Sequence, residues 1–149
     1  MKKLPISLIV ITLNEEKNIE ACIRSAPFVN DIVILDSESQ DRTREIALSC
    51  GARVYNEPFR GFRAQKERAT EIAKEDWVLC IDADEVLQST AHLEIESLFQ
   101  NGQMDQIDGF EVKRANFHLG RWISHGGWYP DRSVRLFNKK RTKWVGGEV

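Results

Sequence analysis

Short apolar runs alternate with polar, helix-like segments over the first 88 residues. Ile6 to Leu13 is rich in β-branched residues and predicts a buried strand. Asn14 is placed to cap a following helix, with Glu15 and Glu16 in its first turn, where the helix dipole favours acids. Ile19, Cys22 and Ile23 form that helix's apolar stripe, and Pro27 lies past its end. Ile32 to Leu35 predicts a second strand, ending at Asp36 and followed by the polar loop Ser37-Glu38-Ser39-Gln40-Asp41. Thr43 to Cys50 reads as a short helix stopped by Gly51, and Ala52 to Asn56 as a third strand. After the loop Glu57 to Gly61, a charged helix is expected from Arg63 to Lys74, with Ala69, Ile72 and Ala73 inward. Trp77 to Ile81 is a short, wholly apolar run, the pattern of a strand buried on both faces.

Strand–helix units with short connections predict a parallel sheet with helices on both faces. Such sheets bind ligands at the carboxyl ends of their strands. Those ends carry Thr12-Leu13-Asn14-Glu15, Asp36-Ser37 and Asp82-Ala83-Asp84, so three polar exits are expected on one edge. No Gly-rich phosphate loop follows the first strand, so an anion there must be met by side chains and a cation. Residues 89–149 read differently. Thr90 to Phe99 predicts a helix with Leu93, Ile95, Leu98 and Phe99 inward, ended by Asn101-Gly102. Gly109 to Ala115 and Ser133 to Asn138 alternate as antiparallel strands do, and Phe117 to Arg132 is expected to be a long loop holding Trp122, His125, Trp128, Tyr129 and Asp131.

Totals narrow the function classes. The chain of 149 residues is one domain or part of one, with 42% apolar residues to form a core. A net charge of -2 argues against a general nucleic-acid binder. No run approaches membrane-spanning length, and the opening Lys2-Lys3-Leu4-Pro5 leads into a first strand rather than a signal peptide with a cleavage site. Cys22, Cys50 and Cys80 are odd in number, far apart and in apolar settings, as expected of reduced cysteines in a cytosolic protein.

The sharpest chemistry is at Asp82-Ala83-Asp84. Residues two apart in an extended segment point the same way, so the two carboxylates are expected to converge, with Ala83 keeping bulk out of the gap. Close carboxylates repel unless a proton or cation joins them. A hard divalent ion, Mn2+ or Mg2+, is the natural third member and brings phosphate oxygens with it. The plainer alternative is a solvated strand exit with a turn-capping carboxylate.

In this order and at these strand ends, the motifs resemble family 2 inverting glycosyltransferases of the GT-A fold. Thr12-Leu13-Asn14-Glu15 is similar to that family's nucleotide loop, Asp36-Ser37-Glu38-Ser39-Gln40-Asp41 to its second loop, and Asp82-Ala83-Asp84 to its metal motif. Trp128 to Phe137 and Trp144-Val145-Gly146-Gly147 resemble the acceptor side of the bacterial lipopolysaccharide core glycosyltransferases. The resemblance implies a Rossmann-like, mostly parallel sheet flanked by helices, with a donor half at residues 1–88. A partial, mixed or antiparallel acceptor half follows at 89–149. It implies a cytoplasmic enzyme, in peripheral contact with the membrane at most, that moves a sugar from a nucleoside diphosphate sugar, first of all UDP-glucose, to a glycan or lipid-linked glycan hydroxyl.

By the same resemblance Asp84 is the direct metal ligand, and Asp82 contacts metal or ribose. Thr12, Leu13, Asn14, Glu15, Ser37 and Ala83 line the nucleotide sugar. Asp36 binds base or ribose, its alternative being a turn cap. Arg63 and Lys66 face nucleotide or phosphate, their alternative being a solvated helix face. Trp128, Asp131, Arg132 and Arg135 meet the acceptor or the leaving phosphates. The basic run Lys139-Lys140-Arg141 is a solvated turn or a lipid contact. Two departures stand out. Glu38 occupies a position where the family usually has Gly, so a differently shaped loop is expected. The family's catalytic base is expected in a segment beyond Val149, leaving Glu148 as the nearby carboxylate. The rival readings are a non-catalytic nucleotide-sugar-binding module and, on a similar sheet, a nucleotidyltransferase, which needs a Gly-rich basic loop that this chain lacks.

Overall fold

The computed structural model describes residues 2–113, 118–123 and 134–142. The first half runs β1 (Leu4–Thr12), α1 (Ile19–Arg24), β2 (Val29–Asp36), α2 (Thr43–Ser49), β3 (Arg53–Asn56), α3 (Phe62–Ile72) and β4 (Trp77–Cys80). The second adds α4 (Ser89–Gln100), a 3-10 turn at Gln103–Asp105, β5 (Gly109–Lys113), β6 (His118–Ile123) and β7 (Val134–Asn138). The strands form one sheet in the order β3-β2-β1-β4-β7-β5-β6. The first four are parallel; β7 pairs antiparallel with β4, β5 with β7, and β6 with β5. The expected α/β architecture, parallel in its first half and antiparallel beyond, is the one observed.

The apolar runs follow from this layering. Leu4, Ile6, Leu8 and Val10 of β1 point to one face, where they pack with Ile34, Leu79, Phe110 and Leu136 against α1, α2 and α4. Ile9, Val33, Leu35, Val78, Cys80 and Phe137 point to the other, under Ala69 of α3. A strand covered on both faces must be apolar at successive positions. Each fully buried Leu or Ile contributes about 2 kcal/mol, so β1 and β4 anchor the sheet. Gly51, with φ 88°, follows the end of α2 in the left-handed conformation that stops a helix.

At the amino end of the sheet a buried polar knot joins β1, β2, β3 and the end of α3. Asp31 of β2 accepts hydrogen bonds from the Ser7 hydroxyl (2.7 Å), the Lys74 amide (2.9 Å) and the Arg53 guanidinium (2.9 and 3.0 Å). Arg53 also donates to the Ile72 carbonyl at the end of α3 (3.0 Å). Burial raises the Asp31 carboxyl, but these hydrogen bonds and the Arg53 charge outweigh it and hold the group below its ordinary value of 3.8.

Three expectations are corrected. The first helix begins at Ile19 rather than beside Asn14, because Asn14 takes a left-handed φ of 54° and bonds across to the second loop. Leu93 is 64% exposed, since α4 turns Ala91, Ile95 and Leu98 inward, a stripe at spacings of four and three that excludes position 93. The expected loop after Phe117 contains β6, whose Trp122 pairs with Phe110 of β5. Its short His-Leu-Gly-Arg-Trp-Ile run has little intrinsic strand signal, and pairing supplies what propensity does not. The alternation expected of β7 is observed: Leu136 and Phe137 are both buried, on opposite faces.

Candidate functional site

Strand order reverses beside β1: the chain first moves outward to β2 and β3, then returns to β4 on the other side. Crevices at such reversals, at the carboxyl ends of the strands, are where open α/β sheets bind ligands. Thr12 and Asp36 are register partners at the ends of β1 and β2, and β4 ends just before Asp82.

The first two exits are laced together. The fully buried Asp36 carboxylate accepts the Thr12 hydroxyl (2.6 Å), the Ser39 hydroxyl (2.6 Å) and the Ser39 amide (2.8 Å), and Arg44 lies 3.7 Å away. The Ser39 hydroxyl in turn accepts the Asn14 amide, and the Asn14 side chain accepts the Gln40 amide, both at 2.8 Å. Thr43 Oγ1 accepts the Glu15 amide (2.8 Å). The Asp36 carboxylate is the hub that shapes both loops. Leu13 is 54% exposed on the same edge, an apolar wall beside these loops. Glu38 has a φ of 62°, so it takes the left-handed conformation open to Gly, and its amide donates to Asn56 Oδ1 (2.9 Å). The Gly-to-Glu departure therefore leaves the chain path of a Gly at that residue.

The third exit is a turn rather than a continued strand, which corrects the expectation of an extended Asp-Ala-Asp. The Glu85 amide donates to the Asp82 carbonyl (3.0 Å), closing a tight turn over Asp82–Glu85. Asp84 is exposed, Asp82 is half-buried and Ala83 is buried. The turn, not strand alternation, sets where the two carboxylates stand. Cys22 reports their field: burial first, then the charges of Glu85, Asp82 and Asp84, push its thiol up to about 12. Its thiol donates to the Asp82 carbonyl (3.5 Å).

Among the described residues, no group of three or more His, Cys, Asp or Glu side chains could by itself hold a metal ion. Concentrated negative charge from an exposed and a half-buried carboxylate nevertheless fits a hard divalent cation that takes its remaining ligands from phosphate oxygens and water.

Cations approach from α3 and β7. Burial raises the Cys80 thiol, while the charges of Lys66 and Arg135 lower it, so both cations lie near the end of β4. Arg63 pairs with Glu67 along α3 (2.9 Å). Arg135, expected at the acceptor or leaving phosphates, is buried and pairs with Glu85 (2.7 Å). Trp128, Asp131, Arg132 and Glu148 lie outside the described residues. The basic run is tied to the fold. Lys139 donates to the Ala73 carbonyl, Lys140 lies 3.9 Å from Asp76, and Arg141 pairs with Asp108 (3.5 Å) above the Trp77 ring.

One residue, Gln65, escapes the sequence reading, and a second, Glu85, takes the turn-capping role that was the plainer alternative. Gln65 is fully buried in α3, donates to Ser37 Oγ (3.2 Å) and accepts the Arg60 amide (3.3 Å), joining the loops after β2 and β3. A Gln on the inward side of a helix beside Ala69 is the signal that was available. Glu85, next to the acidic pair, carries the contacts to Asp82 and Arg135.

A parallel α/β half-sheet with polar loops and a carboxylate turn meeting at its strand reversal is the arrangement in which open α/β folds bind their ligands. The chain belongs to glycosyl transferase family 2, which it matches over residues 7–147. It is 38% identical over 136 residues to an uncharacterized glycosyltransferase of Rickettsia bellii, covering 91% of this chain and 46% of that protein. It is 32% identical to the lipopolysaccharide core biosynthesis glycosyltransferase LpsC of Rhizobium meliloti, covering 95% of this chain and 54% of the relative. The chain thus spans about half the length of the curated relatives it matches. Among solved structures it is similar to glucosyl-3-phosphoglycerate synthase from Mycobacterium tuberculosis in complex with Mn2+, UDP-glucose and phosphoglyceric acid. The TM-score is 0.59 at 28% identity, covering 72% of this chain and 43% of that one. The same enzyme has been seen with Mg2+ and UDP.

Proposed function

We propose that this chain is the donor-binding part of a metal-dependent inverting glycosyltransferase. It moves a sugar, glucose first, from a nucleoside diphosphate sugar to a hydroxyl of a cell-envelope glycan such as the lipopolysaccharide core. The observation that carries the reading is the meeting of the Asp82–Glu85 turn and the laced 12–15 and 36–43 loops at one strand reversal. The nucleoside lies against Leu13 and the backbone of the two loops, whose shape Asp36 and Thr12 hold. Asp84, with Asp82, holds Mn2+ or Mg2+ on the diphosphate. When bound, the ion neutralises charge on the departing diphosphate. Lys66 adds positive charge beside the β4 exit. The acceptor is met by the segment with Trp128, Asp131 and Arg132. The base that takes the hydroxyl proton must come within hydrogen-bond reach of it, a role for which Glu148 is the candidate in this chain. The lipopolysaccharide assignment is supported by the likeness to LpsC, and the UDP-glucose assignment by the likeness to the mycobacterial synthase.

Calorimetry with UDP tests the reading. Binding should require Mn2+ or Mg2+, and Asp84→Asn should weaken it at least tenfold, about 1.4 kcal/mol, with the melting temperature kept. Equal affinity in EDTA sinks the metal reading. Donor binding without transfer by the full-length protein favours a non-catalytic binding module.

A further inference from the structure

The Asp82–Glu85 turn is held by a residue that is not one of the two proposed ligands. Glu85 folds back so that its Oε1 accepts the Asp82 amide (2.7 Å), while the Glu85 amide donates to the Asp82 carbonyl (3.0 Å). The two bonds close the turn from both ends. The same carboxylate receives the Arg135 fork, at 2.7 Å from Nη1 to Oε1 and 3.3 Å from Nη2 to Oε2. Arg135 is buried and Glu85 largely so, with side chains 6% and 10% exposed. Arg135 comes from β7, which runs antiparallel beside β4. A two-pronged contact of this kind fixes orientation as well as distance, which a lysine cannot do.

Three acidic residues within four positions pose a problem of choice. Left alone, all three would repel one another and compete for any cation. Arg135 neutralises the third carboxylate, and the Asp82 amide occupies the same oxygen. Glu85 is thereby turned from ligand to brace, and Asp82 and Asp84 remain the acidic pair at the turn.

We propose that Glu85 and Arg135 form a positioning pair that sets the Asp82–Asp84 turn for a metal-bound diphosphate, and that the pair couples this turn to β7 in the acceptor half. This inference rests on the donor-site reading above. It adds that metal affinity depends on a guanidinium brought by a strand about fifty residues later in the chain.

Mn2+ binding followed by electron paramagnetic resonance, and UDP calorimetry in Mn2+ or in EDTA, test it well below the melting temperature. The variants are Arg135→Lys, Arg135→Met, Glu85→Gln/Arg135→Met and Asp84→Asn. Arg135→Met strands a buried carboxylate and destabilises the fold. The double variant removes both charges but keeps an oxygen for the Asp82 amide, so it should regain the lost melting temperature. Arg135→Lys and the double variant should nevertheless lose at least fivefold in Mn2+-dependent UDP affinity, with the weak binding in EDTA changed less than twofold. A double variant that regains both stability and Mn2+ affinity would make the pair purely structural and overturn the proposal. So would wild-type Mn2+ affinity in Arg135→Lys. Loss in Asp84→Asn with none in those two sinks the pairing alone. No metal dependence in the wild type, and no loss in Asp84→Asn, sinks the donor site and this inference with it.

Discussion

Glu38 shows how a single residue can hold a loop at a cost. A non-glycine side chain in the left-handed region costs roughly 1–2 kcal/mol, and the position is maintained by the Glu38 amide bond to Asn56. Glycine removes that strain but adds freedom to the unfolded chain, which returns roughly 0.5–1 kcal/mol. Glu38→Gly should therefore stabilise the protein by about 0.5 kcal/mol, while Glu38→Ala should bring no gain. Urea denaturation of the two variants measures the difference; equal midpoints would show that the loop relaxes around Ala. Asn14 occupies the same region at less cost, because its short side chain bonds locally, here to the Gln40 amide.

At the scale of elements, α4 shows how the inward stripe is chosen. Its sequence has apolar residues at 91, 93, 95, 98 and 99, more than one face can bury. The sheet selects Ala91, Ile95 and Leu98, and Phe28 stacks on His92 at 4.7 Å. Leu93 is left to solvent. Leu93→Lys should thus change stability by less than about 0.5 kcal/mol, whereas Ile95→Ala should cost about 3 kcal/mol through lost burial and a residual cavity. Thermal melts of the two variants check the assignment, and a large loss from Leu93→Lys would show that this face is covered by something else.

Across the whole molecule, the sheet has a polar anchor at one end and acidic exits at the other. The anchor at Asp31 ties β1, β2, β3 and the end of α3. Its folded pKa is depressed, so its contribution is full above the unfolded value near 3.9 and is lost as pH falls through the lower folded value. Melting temperature should fall as pH drops below about 4. Asp31→Asn should cost about 3 kcal/mol at neutral pH and flatten that acid limb. An unchanged acid limb in the variant would assign the acid sensitivity to other carboxylates.

The alternation of apolar runs with amphipathic segments was enough, by itself, to determine the strand–helix order of the first half and the placing of Thr12, Asp36 and Asp82 at strand ends. Buried strands need uninterrupted apolar residues, and helices need a stripe; both are local patterns. The acidic pair was legible for the same reason, as an abrupt change from apolar to charged. What depends on partners distant in sequence was not legible. β6 exists because β5 pairs with it, and Asp36 is a hub because Thr12 and Ser39 reach it from two loops. Gln65 is buried because Ser37 and Arg60 meet it, and Asp82 sits in a turn because Glu85 folds back under an arginine from β7. A hydrogen-bonding side chain looks the same in sequence whether it faces solvent or a partner, and only the tertiary structure decides which.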